Sequence, residues 1–242
     1  MPLSELHITW LGQGGYLLDD GETRICIDPY LSDAVEKASG KKRLYPPPVA
    51  PKQLACNLLV CTHDHLDHLD PDLVTALEPS QAFAGPDSCV QHLRQLGRNN
   101  VTPLNRGTEL TLGRFSLTAV FADHTPDSIG IMASHGGRLL YFSGDTLYND
   151  KLLELSDFHP DVMFVCINGR LGNMNVREAV QLTEALRPKV GVPAHYDLFA
   201  DNAEDPQLYL NGLTTVNGRI NGRINGRILE RGRPVSLAQL GL

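Results

Sequence analysis

Short segments in which apolar and polar residues alternate dominate the first part of the chain. Residues 6–10 alternate in this way, and residues 16–18 and 23–27 flank the turn Asp19-Asp20-Gly21-Glu22. A period of two is typical of a strand with one buried face, and two such runs around a glycine-containing turn predict a β-hairpin. Residues 58–61 and 161–167 are almost continuously apolar, which favours strands buried on both faces.

Helical patterns follow several of these strands. Asp70 and Pro71 are suited to the N-cap and first position of one helix, and residues 86–96 form a second that stops at Gly97. Residues 175–186 have helical spacing, whereas residues 108–141 show only strand and turn patterns. Strands dominating both halves, with helices after them, predict two sheets sandwiched between helices.

Two segments lack either pattern. Residues 32–53 are rich in Lys, Ser, Gly and Pro, so we expect a long surface loop there. Asn-Gly-Arg-Ile occurs three times over residues 217–228, a unit too short for a solenoid repeat. We interpret it as a duplication tolerated in a surface loop. The alternative is a basic binding patch made by Arg219, Arg223 and Arg227.

Composition narrows the class of protein. The 242 residues are 42% apolar and 20% charged, typical of a soluble globular protein, and we expect one domain over residues 1–242. The net charge of −7 and the absence of a Lys/Arg cluster argue against a nucleic-acid partner. No apolar run approaches the roughly 20 residues that span a membrane. Homo-oligomer formation is left open.

The N-terminus and the cysteines predict a cytoplasmic location. The first residues lack the basic start and apolar stretch of a signal peptide. The five cysteines are odd in number, widely spaced and without a Cys-x-x-Cys pair. This pattern favours buried free thiols in a reducing compartment over a disulfide framework or a thiolate metal site.

The metal-ligating residue types are most concentrated in His63-x-His65-x-x-His68, with Asp64 and Asp67 between the histidines. In an extended loop, residues two apart point the same way, so His63 and His65 can bind one ion together. Asp67 and His68 follow at a turn and can reach a second ion. Imidazole and carboxylate ligands suit zinc, iron or manganese. The alternative is a solvated polar turn, but unpaired carboxylates and imidazoles would be costly directly after a buried strand.

The order His-x-His-x-Asp-His after a hydrophobic strand resembles the signature of the metallo-β-lactamase superfamily. The resemblance spans nearly the whole chain and implies an α/β fold, a four-layer αββα sandwich. The other matching segments are Trp10-Leu11-Gly12, Ile27-Asp28-Pro29, Phe121-Ala122-Asp123-His124-Thr125, Phe142-Ser143-Gly144-Asp145-Thr146 and Val192-Pro193-Ala194-His195.

The resemblance also implies a ligand set for two divalent ions, zinc or manganese. His63, His65 and His124 would hold one ion, whereas Asp67, His68 and His195 would hold the other, and Asp145 would bridge them. Asp67 and His195 are expected to be catalytic as well, with Asp67 orienting the nucleophile. The implied reaction is hydrolysis by a metal-bound hydroxide that forms near pH 7.

Within the superfamily, several segments are similar to the L-ascorbate-6-phosphate lactonase-like branch, among them residues 62–70, 85–90 and 195–199. The chain is markedly shorter than that lactonase and differs from it between Gly169 and Asn175, where substrate contacts are expected, so the similarity extends to the branch and not to its substrate. The favoured hypothesis is a small-molecule substrate, a lactone or a phosphorylated sugar lactone. Arg170 is the candidate for binding an anionic group, with a solvent-exposed loop arginine as the alternative. Asn168 and Tyr196 are weaker candidates for contacting a developing oxyanion.

Three other functions fit the same ligands. The first is a phosphodiesterase or nuclease of the same superfamily, which the acidic charge disfavours. The second is a non-catalytic metal-binding protein, which the completeness of the seven candidate ligands disfavours. A di-iron redox protein is the third, but the chain has no room for the flavin domain that usually accompanies one.

Overall fold

A computed structural model describes residues 5–218 and 223–242. Within them the strands form two seven-stranded sheets. The first sheet contains β1 (His7–Gly12), β2 (Gly15–Asp19), β3 (Arg24–Ile27), β4 (Leu58–Val60), β5 (Ala82–Gly85), β6 (Val101–Pro103) and β14 (Pro234–Ser236). The second contains β7 (Glu109–Leu112), β8 (Phe115–Phe121), β9 (Ile129–His135), β10 (Arg138–Phe142), β11 (Val162–Cys166), β12 (Val190–Ala194) and β13 (Asn225–Gly226).

Both sheets are mixed, and each is antiparallel on one side and parallel on the other. The first runs in the order β14-β1-β2-β3-β4-β5-β6, antiparallel as far as β3 and parallel from β3 to β6. The second runs β13-β12-β11-β10-β9-β8-β7, parallel as far as β10 and antiparallel beyond it. The predicted hairpin is confirmed as β2 and β3, which pair with Tyr16 opposite Ile27.

The helices flank the two sheets. Helices α2 and α3 contribute to an apolar cluster on the outer face of the first sheet, and α4 and α5 pack on the second sheet. The fold therefore has the predicted four layers, helix–sheet–sheet–helix. The helices are α1 (Ala34–Ser39), α2 (Pro71–Ala76), α3 (Asp87–Gln95), α4 (Val176–Leu186), α5 (Pro206–Asn217) and α6 (Leu237–Leu240), with 3₁₀ helices at Pro51–Gln53, Asp150–Phe158 and Ala200–Asn202.

Alternation along the strands explains the layering. In β3, Ile25 and Ile27 belong to the main core between the sheets, whereas Cys26 belongs to the outer cluster under α2 and α3. In β4, Val60 faces the main core and Leu59 the outer cluster. Both faces of these strands are thus buried, which is why residues 58–61 read as a continuous apolar run.

The prediction of a long surface loop over residues 32–53 is wrong in part. Residues Ala34–Ser39 form α1, which ends at Gly40 with a left-handed φ of 75°. The helix is short, and Val35 packs against the small cluster that contains Tyr30 and Phe199. Tertiary packing therefore stabilises a helix too short to show periodicity in the sequence.

The Asn-Gly-Arg-Ile repeat lies only partly in a loop. Asn217 is the last residue of α5, and its side chain bonds the backbone N and O of Ile224 at 2.7 and 2.9 Å. The third copy begins as β13, so the surface-loop prediction is wrong there. Residues 219–222, which include Arg219 of the alternative basic patch, lie outside the described residues, whereas Arg223 and Arg227 are exposed.

All five cysteines are free thiols, as predicted. Among the described residues, no helix is both long enough and apolar enough to cross a bilayer.

Candidate metal centre

Strands from both sheets end at one edge of the sandwich and lead directly into polar side chains. The chain reaches His63 after β4, His124 after β8, Asp145 after β10 and His195 after β12. These four residues and the turn that carries His65, Asp67 and His68 form three overlapping groups in which the ligating atoms lie within 4.8 Å of one another. The seven predicted ligands are therefore brought together by the fold.

His63, His65 and His124 form the first group. The Nε2 atom of His124 lies 3.1 Å from Nδ1 of His65. Two nitrogens that bind one zinc ion tetrahedrally at about 2.0–2.1 Å would lie about 3.3 Å apart, so this spacing is compatible with a shared ion.

Asp145 lies between this group and the second one. Its Oδ1 atom is 3.2 Å from His68 Nε2 and 3.3 Å from His195 Nε2, and its Oδ2 atom is 3.7 Å from His124 Nε2. Asp67 completes the second group, with Oδ2 3.5 Å from His195 Nε2. One carboxylate thus faces histidines of both groups.

Several of these atoms are buried without a hydrogen-bond partner. They include Nε2 of His63, His68 and His195, and Oδ1 of Asp145. Buried polar atoms are normally paired, because leaving one unpaired costs about 1–3 kcal/mol. Imidazole nitrogens and a carboxylate oxygen that converge without partners form a donor set suited to divalent cations. The residues therefore fit a metal.

The histidines differ in the direction in which their surroundings shift the pKa. Burial, together with the neighbouring His68, lowers the pKa of His63 well below its usual range, and burial and His124 lower the pKa of His65. Both are therefore neutral near pH 7, the form that binds metal. Burial also disfavours the charged form of His195, but the Asp145 and Asp67 carboxylates outweigh it and raise the pKa.

Asp28 orients two of the histidines, His68 directly and His63 through Thr62. It is fully buried, and its Oδ2 atom accepts hydrogen bonds from His68 Nδ1 at 2.8 Å and from Thr62 Oγ1 at 2.5 Å. Thr62 Oγ1 in turn lies 3.1 Å from His63 Nδ1 and can accept its proton. Both imidazoles therefore carry their proton on Nδ1 and present Nε2 to the centre, which is the usual role of a carboxylate behind a metal-binding histidine.

Gln13 holds Asp67 in a similar way. Its Nε2 atom donates to Asp67 Oδ2 at 2.8 Å, and its backbone O accepts from Trp10 Nε1 at 3.1 Å and from His195 N at 3.2 Å. Gln13 is buried and has a φ of 52°, in the left-handed region that most side chains avoid. One residue thereby connects the turn after β1 to two predicted ligands.

The loop of residues 169–174 holds His124. The Gly172 O atom lies 3.0 Å from His124 Nδ1 and accepts its proton, which leaves Nε2 for the centre. Gly172 has a φ of 89°, and a Cβ there would lie 2.7 Å from His124 Nδ1. Only glycine fits this contact. The loop is closed by Gly169 N donating to Met174 O and by Met174 N donating to Thr146 O.

The three predicted substrate-binding residues are engaged by other parts of the chain. Asn168 is buried and donates to Asn202 Oδ1 at 2.7 Å. Arg170 is exposed and donates from Nη1 to Asp201 O at 2.8 Å. The ring of Tyr196 is buried and stacks on Trp10, with ring centroids 5.2 Å apart.

Comparison with known proteins gives the family. Residues 23–196 match the family model described as "Beta-lactamase superfamily domain". The chain is also 30% identical to a UPF0173 metal-dependent hydrolase of Archaeoglobus fulgidus, over 84% of this chain and 88% of the relative. The chain belongs to the UPF0173 metal-dependent hydrolase family of the metallo-β-lactamase superfamily. The resemblance in the sequence motifs is confirmed at the level of the superfamily.

Solved structures with a similar fold include two hydrolases. Igni18, a metallo hydrolase from Ignicoccus hospitalis, is 22% identical, with a TM-score of 0.74 and coverage of 96% of this chain and 98% of that one. An isothiocyanate hydrolase from Delia radicum gut bacteria is 18% identical, with a TM-score of 0.77 and coverage of 95% and 99%. At these identities the likeness establishes the fold alone.

Sequence reasoning missed the residues behind the ligands in this UPF0173 chain. The sequence indicates Asp28 only as part of the segment Ile27-Asp28-Pro29, and no pattern singles out Gln13. A signal for Asp28 did exist, since a lone acidic residue directly follows an apolar strand. Gln13 carried none, because its partner Asp67 is 54 positions away.

Proposed function

We propose that this chain hydrolyses a small lactone at a centre that holds two divalent metal ions, zinc or manganese. His63, His65 and His124 would hold one ion. The second ion would be held by the other three ligands, Asp67, His68 and His195, and Asp145 would bridge the two.

The observation that carries this proposal is the convergence of buried, unpartnered ligand atoms around Asp145. His68 Nε2 and His195 Nε2 lie 3.2 and 3.3 Å from the same Asp145 oxygen, and none of these three atoms has a hydrogen-bond partner. Such an arrangement is costly in the absence of a cation. It favours a cation-dependent enzyme over a solvated polar turn.

Divalent ions bound there would act as Lewis acids on the scissile carbonyl and would lower the pKa of water at the site. The protein's own groups prepare the ligands for this role. Asp28 accepts from His68 Nδ1, and Gly172 O accepts from His124 Nδ1, so both rings are held with Nε2 toward the centre. Gln13 fixes the Asp67 carboxylate beside His195, where Asp67 would orient the attacking water.

The choice of a lactone rests on the similarity of residues 62–70, 85–90 and 195–199 to the ascorbate-6-phosphate lactonase-like branch. A cyclic ester also suits the chemistry, because a polarised carbonyl and an activated water suffice to open it. No serine or cysteine nucleophile is required. Relatives in Archaeoglobus fulgidus and Methanosarcina mazei are named as metal-dependent hydrolases, and these names give no substrate.

Hydrolysis assays on metal-loaded protein test this function. The panel contains lactones, a phosphodiester, a β-lactam and an isothiocyanate, with zinc or manganese supplied. We expect lactones to be hydrolysed, and we expect His65→Ala to reduce kcat to near the background rate because His65 is a proposed ligand. His92→Ala is the matched control, since His92 lies on α3 outside the cluster.

The alternatives give different results in the same assay. Hydrolysis of the phosphodiester with inert lactones would replace the proposal with a phosphodiesterase or nuclease. No hydrolysis of any compound by protein that has bound its metal would favour a non-catalytic metal-binding protein.

A further inference from the structure

A cavity of about 280 Å³ opens directly beside the proposed metal centre. His65 and Asp67 form the wall nearest the centre. A cavity needs about 10–15 Å³ of such volume to hold a single water, so this one has room for a group of several heavy atoms. It is therefore large enough for one compact substituent of a substrate whose reacting bond lies at the metal centre.

Much of the remaining wall of the cavity is apolar. Val35 and Ala38 of α1, Leu66, Leu171 and Phe199 line it, and its polar residues are Ser39, Lys41, Asp201 and Asn202. Leu171 is 68% exposed, an unusual position for a large apolar side chain. Its place in the loop that also holds His124 puts an apolar group at the edge of the centre.

The charged groups at the cavity are already paired. Lys41 Nζ lies 2.7 Å from Asp201 Oδ2, and both residues line the cavity. Arg170, the predicted anion-binding residue, donates to Asp201 O and does not line the cavity. A phosphate in this space would therefore meet a single lysine that is already paired with Asp201, because no other lysine or arginine lines the cavity.

We propose that this cavity holds the apolar substituent of an uncharged substrate, so that the protein selects alkyl-substituted lactones over phosphorylated ones. The proposal rests on the proposed function and narrows its substrate class. The sequence left both a plain lactone and a phosphorylated sugar lactone open, and the lining of the cavity favours the uncharged ring.

The test is a series of γ-lactones with methyl, ethyl, butyl, hexyl and octyl substituents. Burial of each methylene should raise kcat/KM by up to about fourfold until the cavity is full, after which the values should level off. Gluconolactone 6-phosphate should be no better a substrate than gluconolactone. Values of kcat/KM that do not change with alkyl length, or a tenfold preference for the phosphorylated sugar lactone, would overturn the proposal.

Two variants connect the selectivity to the cavity. Ala38→Leu places a larger side chain in the cavity from an exposed helical position, so the values should level off at a shorter alkyl chain. Leu171→Asn should weaken the preference for long chains, and asparagine tolerates the left-handed φ of 54° at this position. Ala238→Leu is the matched control, an exposed alanine on α6 that does not line the cavity.

A binding measurement separates this proposal from the proposed function. Calorimetry with the ring-opened 4-hydroxyalkanoates reports whether affinity rises with alkyl length, even in protein that hydrolyses no lactone. Length-dependent binding without hydrolysis would contradict the lactonase activity and support the apolar cavity. Hydrolysis with length-independent binding would support the activity and contradict the cavity proposal.

Discussion

The residues that orient the candidate ligands adopt backbone conformations that most side chains avoid. Asp28 and Gln13 both have left-handed φ angles, 46° and 52°, and both bond a predicted ligand. Strained backbone at such positions costs of order 1–3 kcal/mol and persists where the surrounding contacts enforce it. Here the contacts are those that orient His68 and Asp67.

Gln13→Asn tests the contact with Asp67. Asparagine tolerates the left-handed backbone, but its side chain is one methylene shorter and cannot reach Asp67 Oδ2. We expect metal affinity to fall about 10- to 100-fold, the usual cost of losing a group that orients a ligand. Chelator competition measures the affinity, and thermal melting checks the fold.

The matched control is Gln91→Asn, an exposed position on α3 outside the site. Wild-type metal affinity in Gln13→Asn would show that the contact with Asp67 does not position a ligand.

At the residue scale, the sequence predicts the candidate ligands but not the residues that orient them. The spacing of His63, His65 and His68 indicates metal binding because imidazole chemistry and strand geometry are local properties. The bond between Gln13 and Asp67 depends on how the turn after β1 meets the turn after β4 in the folded chain. No local pattern encodes that approach.

At the scale of single elements, the loop of residues 169–174 positions the candidate ligand His124 through a glycine. A Cβ at Gly172 would lie 2.7 Å from His124 Nδ1. Gly107 is a matched position, with a similar φ of 80° and no neighbouring atom within 4 Å of the added Cβ. Comparing alanine substitutions at these two glycines therefore separates the effect of backbone strain from that of the clash with His124.

We therefore expect Gly172→Ala and Gly107→Ala to lose a similar stability from backbone strain, roughly 1–2 kcal/mol. Only Gly172→Ala should also lower metal affinity, at least about tenfold, because His124 must move. Urea unfolding and chelator competition measure the two effects. Equal metal affinity in the two variants would mean that His124 is not held by this loop.

The β2–β3 turn contains a second testable element. Asp20 is buried and accepts from Thr23 N at 2.7 Å and Glu22 N at 3.0 Å, and its Oδ2 atom lies 3.0 Å from His135 Nε2 and 3.1 Å from Arg114 Nε. Burial raises the pKa of this carboxyl, but the hydrogen bonds outweigh burial, and the pKa is lowered overall. The charged form therefore stabilises the folded state.

A carboxyl with a lowered folded-state pKa contributes stability above its ordinary pKa of about 3.9, and this stability is lost as pH falls through the folded-state value. Asp20→Asn should be less stable by about 1–2 kcal/mol at pH 7. It should also lose less stability on acidification below about pH 5 than the wild type. Urea unfolding at several pH values, in a chelating buffer, measures this. Parallel pH profiles for the two proteins would contradict it.

The elements themselves were predictable where one physical rule dominates. The β2–β3 hairpin followed from alternation around a glycine turn, and the α2 N-cap at Asp70 followed from an acidic residue before proline. Helix α1 could not be predicted from the pattern because six residues show too little periodicity, and the cluster against which it packs includes Leu198 and Phe199, far along the chain. Whether so short a helix forms is decided by its tertiary contacts.

At the scale of the whole molecule, the candidate ligands meet because strands of both sheets end at one edge. Residues after β4 in the first sheet meet residues after β8, β10 and β12 in the second. The resemblance to a known superfamily allowed this meeting to be predicted, whereas periodicity alone could not have paired the two sheets. The cavity beside the centre combines α1 with the loops at Leu171 and Phe199, and neither the resemblance nor the patterns indicated it.

We propose that these seven side chains hold two divalent ions. The test is elemental analysis of protein that has been purified and then equilibrated with zinc or manganese, with loosely bound ions removed. We expect close to two ions per chain at saturation. One ion or fewer per chain would contradict it.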